Sequence, residues 1–175
     1  MAEVEARKVA GVHRQAGTSQ VSELLGADAA VSAVAGALRE RPVVHLSCHG
    51  TLDPDDPGAS ALELHDAALR LDEVVGWDVS GVLAVLSACQ SNAPGIQADE
   101  HLSLAAAVQL AGYAHVIGSL DPVPGYETAK LMPLLHQHLV DGADPATALH
   151  TTRTWARHRW PDQPHIWATW THTGP

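Results

Sequence analysis

Two short runs in this chain end on groups that can do chemistry. Val43-Val-His-Leu-Ser-Cys-His-Gly50 runs out on Cys48, His49 and Gly50, and Val82-Leu-Ala-Val-Leu-Ser-Ala-Cys89 runs out on Cys89. A thiolate attacks a carbonyl carbon, and an imidazole handles the protons. Backbone N–H groups at Gly50 and Cys89 can hold the oxyanion that results. Glycine after the histidine lets the backbone turn sharply and come close to a ligand. Each residue alone has a plainer explanation. A cysteine at a strand end is commonly a small buried hydrophobe, and a lone histidine is commonly structural. Having both exits in one chain is what points to cysteine catalysis.

That chemistry requires two neighbouring strands whose carboxyl ends face the same way, the usual place for a site in an open α/β sheet. The patterning supplies such strands at 43–48, 82–88 and 115–120, each nearly continuous in apolar residues, as strands covered on both faces are. Helices are expected over 2–16, closed by Gly17, and from an Asp28 cap to Leu38. Others are expected over 72–77, from an Asp99 cap to Gly112, over 126–140, and from the Asp144-Pro145 start to about Arg159. Val21–Leu25 reads as a short strand. Ala61–His65 and Ala68–Leu71 read as a hairpin turning at Asp66-Ala67, and Trp167–Thr171 as a terminal strand. Residues 52–60 form an acidic Pro/Asp/Gly loop. Strands alternating with helices give an α/β sandwich with a mainly parallel sheet.

Composition sets the limits. The 175 residues suffice for one domain with a sizeable core, and 46 % hydrophobic against 17 % charged residues excludes a disordered chain. A net charge of −10 argues against broad nucleic-acid or anionic-membrane binding. Two cysteines make no disulfide framework. No signal peptide or membrane-spanning run is recognisable, so a reducing cytoplasm is the expected compartment. The Arg- and Ala-rich, Lys-poor and Phe-free composition suits a GC-rich bacterial genome. His136 and His138 lack the spacing of a zinc helix such as H-E-x-x-H, and no Gly-rich phosphate loop is present, so neither metal nor cofactor is expected. Trp155, Trp160, Trp167 and Trp170 read as packing residues.

Four motifs in order then resemble the CHAT domain family: His45-Leu-Ser-Cys-His-Gly50, Leu86-Ser-Ala-Cys89, Val116-Ile-Gly-Ser-Leu-Asp-Pro-Val123 and Trp167-Ala. The resemblance covers about residues 6–174. It implies a caspase-like αβα sandwich of three layers and a Cys–His dyad cysteine peptidase. Cys89 would be the nucleophile, His49 the general base, and Gly50 with Cys89 the oxyanion hole. Cys48 falls on a position of the motif that is not catalytic.

The chain departs from the family in two places. Asp121 stands where the family usually has Trp. Members with an acidic pocket cut after basic residues, and Asp121, Asp99 or Glu100 would supply such a charge, although Asp99 and Glu100 also suit surface or capping roles. The resemblance further implies a core strand ahead of the first helix. Met1 opens that helix directly, so the single domain 1–175 is expected to be truncated at its N-terminus. An upstream segment, a sensor protein or a second copy would then complete the sheet. The leading expectation is an endopeptidase with a protein substrate in bacterial defence or signalling. The alternatives are a non-catalytic CHAT-like module that binds a peptide or partner, and a different thiol hydrolase or transferase.

Overall fold

The computed structural model describes residues 1–51, 53, 56–88 and 103–175. Its centre is a four-stranded sheet of β1 (Val43–Ser47), β5 (Gly81–Ser87), β6 (Tyr113–Ser119) and β7 (Trp170–Thr173), in that spatial order. The first three strands run parallel, and β7 closes the far edge antiparallel to β6. A smaller antiparallel sheet holds β2 (His49–Thr51), β3 (Ala61–Glu63) and β4 (Ala68–Arg70). The helices are α1 (Ala2–Gln15), α2 (Val31–Glu40), α3 (Leu71–Val75), α4 (Leu104–Leu110), α5 (Gly125–Val140), α6 (Pro145–Arg159) and α7 (Pro164–Trp167).

Period-two alternation divides the core. Ala84 and Leu86 of β5 and Val116 of β6 pack with α2, α3 and α4 on one face of the sheet. Leu83, Val85 and Ile117 pack with α1, α5, α6 and α7 on the other. Successive strand residues face opposite ways, so one continuous apolar run supplies both faces. The result is a three-layer αβα sandwich with a mostly parallel sheet. Gly112 closes α4 at a positive φ of 124°, and a Cβ there would fall 1.8 Å from the Val79 carbonyl oxygen. No other residue fits that crossing. Tyr113 lies against Gly81 and donates from its hydroxyl to the Leu38 and Arg41 carbonyls, tying the end of α2 to β6. Burial lifts its phenol to about 12.

Several expected boundaries move. Residues 21–25 join no ladder among the described residues. Helix α2 starts after Ala30 rather than at Asp28, and Asp66 in the hairpin turn accepts from the Val31 N–H instead. The side chain of Ser103 caps α4, and Asp99, the expected cap, lies outside the described residues. The C-terminal strand begins at Trp170 because Pro164 starts a short helix through Trp167. Asp144 caps α6 as expected, accepting from the Thr147 N–H at 3.0 Å. Of the tryptophans Trp170 is fully buried, whereas Trp155 is 42 % exposed.

Candidate active site

β1 and β5 are direct neighbours, parallel and in register from Val43–Leu83 to Ser47–Ser87. Both chains therefore leave the sheet at the same level of its carboxyl edge. On the β1 side the backbone bends at Cys48 and continues as β2, where His49 pairs with Glu63 and Gly50 with Leu62. The bend falls at Cys48, and Gly50 lies in extended backbone rather than at a sharp turn. His49 is exposed and Gly50 half-buried. Cys48 is half-buried against the α2-side core, as a non-catalytic packing residue would be.

On the β5 side Ala88 is the last described residue and is buried. Cys89, Asp99 and Glu100 lie outside the described residues. Asp121 follows β6 at the same carboxyl edge and is exposed. Its N–H donates to Thr169 Oγ1 at 2.9 Å, and its carbonyl accepts from Ser119 Oγ. Its backbone is thus pinned between β6 and the approach to β7. Among the described residues no group of three His, Cys, Asp or Glu side chains could hold a metal ion, and no helix is long and apolar enough to cross a membrane.

A second feature borders the same strand. Among the described residues β1 pairs only with β5. Along its other side runs a cavity of about 690 Å³, lined by β1, α1, α2 and residues 18–26. A five-residue strand occupies roughly 800 Å³, taking its length, the 4.8 Å strand spacing and the 10 Å layer spacing. The slot is therefore the size of one strand. Its walls include Val9 and Ala10 on one side and Val34 and Leu38 on the other. Among the described residues, none from Ser19 to Leu24 makes a backbone–backbone hydrogen bond.

Beside this slot lies a buried cluster that the motif reading missed. Glu5 on α1 is 2 % exposed and accepts from His45 of β1, Oε1 to Nε2 at 2.9 Å. His45 Nδ1 meets His136 Nε2 of α5 at 3.2 Å, and His136 Nδ1 meets His13 Nε2 of α1 at 2.9 Å. His136 is 1 % exposed, and burial followed by the charges of His45 and His13 drives it well below the ordinary histidine value. His13 is lowered too, first by burial and then by His45. One signal was in the sequence: Glu5 shares a helical face with Val9, four residues on, so a carboxylate interrupts an apolar stripe.

The family model of the CHAT domain matches residues 1–175, the entire chain, and the chain belongs to that family, which is related to caspase-like peptidases. No curated protein matches it.

Proposed function

We propose that this chain is a CHAT-type cysteine endopeptidase acting in the bacterial cytoplasm, in defence or signalling, with Cys89 as nucleophile and His49 as general base. His49 takes the thiol proton as sulfur bonds to the scissile carbonyl carbon. It returns that proton to the leaving amine as the C–N bond breaks, and water then hydrolyses the thioester. The N–H groups of Gly50 and Cys89 hold the oxyanion in both halves. What supports the reading is the β1–β5 register, which ends at Ser47–Ser87, two positions before His49 and Cys89 in the sequence. Asp121, with Asp99 and Glu100, would favour Arg or Lys at the cleavage site through charge-assisted hydrogen bonds. The test is labelling by an electrophilic peptide probe with a basic residue next to the warhead. Wild type should label, Cys89→Ala should not, and His49→Ala should label at least about 100-fold more slowly. Undiminished labelling of Cys89→Ala would overturn the assignment.

The open side of β1 favours a second reading, in which the chain binds a partner strand, with or without catalysis. The occupant we assign is an extended segment of a partner protein, aliphatic on both faces and about five residues long. Each buried backbone group of β1 left unpaired would cost on the order of 1–3 kcal/mol, which is the drive to fill the slot. A synthetic Val/Ile-rich strand peptide should raise the melting temperature of the protein and protect the β1 amides. A stable dimer in solution with no peptide effect would assign the edge to a second copy instead.

A further inference from the structure

Glu5, His45, His136 and His13 form one unbranched chain that passes through α1, β1 and α5 and returns to α1. Its links are 2.9, 3.2 and 2.9 Å. Successive imidazoles stand nearly perpendicular, at 78° between His45 and His136 and 70° between His136 and His13. Hydrogen-bond accounting leaves little freedom. With Glu5 ionised, His45 must present Nε2–H to it, which makes His45 Nδ1 an acceptor. His136 must then donate from Nε2, and His13 likewise. All three rings are neutral Nε2–H tautomers whose donors point towards Glu5. Of the ring nitrogens, only His13 Nδ1, at the half-buried end of the chain, is left with an unused lone pair among the described residues.

We propose that this chain is a proton relay that admits one proton at His13 and stores it as an imidazolium–carboxylate pair between His45 and Glu5. The bookkeeping closes. A proton bonds to His13 Nδ1, the His13 Nε2 proton passes to His136 Nδ1, and the His136 Nε2 proton passes to His45 Nδ1. His45 then carries both of its protons beside the carboxylate, while His13 and His136 are neutral again as Nδ1–H tautomers. No nitrogen within the chain loses its partner; every donor direction between the rings reverses. A second proton has no carboxylate to meet and enters against burial and the charge on His45.

The surroundings single out this resting place. From α1, Lys8 turns to the Ala129 carbonyl of α5, and Arg14 pairs with Glu23. The slot also carries Glu3, Arg41, Cys48, His49, Glu63 and His65. Among the described residues, Glu5 is the carboxylate in hydrogen-bond contact with the rings. The stored proton makes the His45–Glu5 contact charge-assisted, which tightens α1 on the strand that presents His49 four residues further on.

Nitrogen NMR of histidine-labelled protein across pH 8 to 5 reads tautomer and charge separately. At the alkaline end His13, His45 and His136 should all be Nε2–H. On acidification one step should turn His45 into an imidazolium and switch His136 and His13 to Nδ1–H together, with slower amide exchange in β1. Glu5→Gln keeps an acceptor but removes the charge, so it should lower that midpoint by at least about one pH unit, a tenfold loss of proton affinity. His13→Ala, at the half-buried end, should slow proton exchange at His45 with the fold intact. Three independent titrations without a tautomer switch would overturn the relay. So would an unmoved step in Glu5→Gln.

Discussion

At one edge of the sheet β7 runs antiparallel, four residues long, and is stitched to β6 by side chains as well as by the ladder. Leu120 N–H donates to the Thr169 carbonyl, Thr169 Oγ1 takes the Asp121 N–H, and His172 stacks on His115 with their nitrogens 3.0 Å apart. Trp170 plugs the core beneath it. At the other edge β1 presents Val, Val, His, Leu and Ser to a strand-sized slot and is held from one side by the Glu5–histidine chain. A short, polar, antiparallel strand ends a sheet safely, whereas an aliphatic parallel strand invites another. The two histidine groups differ in the same sense. His172 is lowered, first by burial and then by His115 against an opposing pull from Asp144, and among the described residues the pair makes no hydrogen bond to a carboxylate. His45 has Glu5 in direct contact. One edge is finished by packing, the other by charge.

The largest effect should come from the packed edge. Trp170→Ala empties a fully buried site and should cost about 3–5 kcal/mol in urea denaturation. Trp170→Phe should cost less, because the indole Nε1 is buried with no partner among the described residues. A loss under about 1 kcal/mol for Trp170→Ala would remove the packing explanation of that edge.

The pH dependence of stability sharpens the contrast at the charged edge. His13 and His136 are lowered in the folded state, so the unfolded chain takes up protons there that the folded chain refuses. Their contribution is present above the ordinary histidine value of about 6.5 and is lost as the pH falls below it. Below that value the folded cluster binds fewer protons than the unfolded chain, so stability falls as the pH drops. Glu5→Gln, which holds the stored proton less tightly, should steepen the fall. Denaturation midpoints between pH 7.5 and 5.5 would show it, and a flat profile would rule out the buried neutral rings.

The smallest change in stability is expected for Val43→Lys at the open edge. Val43 is 42 % exposed, so folding should shift by no more than about 0.5 kcal/mol. Any self-association through β1 should weaken, as read by sedimentation at increasing concentration. An unchanged association constant would place the contact elsewhere.

Much of the site's scaffold was legible along the chain. Apolar runs of five to seven residues bounded by turn residues located β1, β5 and β6, and Asp144-Pro145 fixed the start of α6, because these signals act within a few residues of where they are written. The glutamate–histidine chain could not be read this way. Its members are separated by 40, 91 and 123 positions, and nothing at His136 in the sequence says which ring it will face.

The sequence by itself determined the αβα class, the apolar strand that leads to His49, and the family, since each rests on local pattern or ordered motif. Only the tertiary structure decided that residues 21–25 join no ladder among the described residues, and that three histidines share one buried carboxylate. Strand order and burial are set by how distant segments pack, and a side chain's proton affinity follows from the neighbours that packing brings.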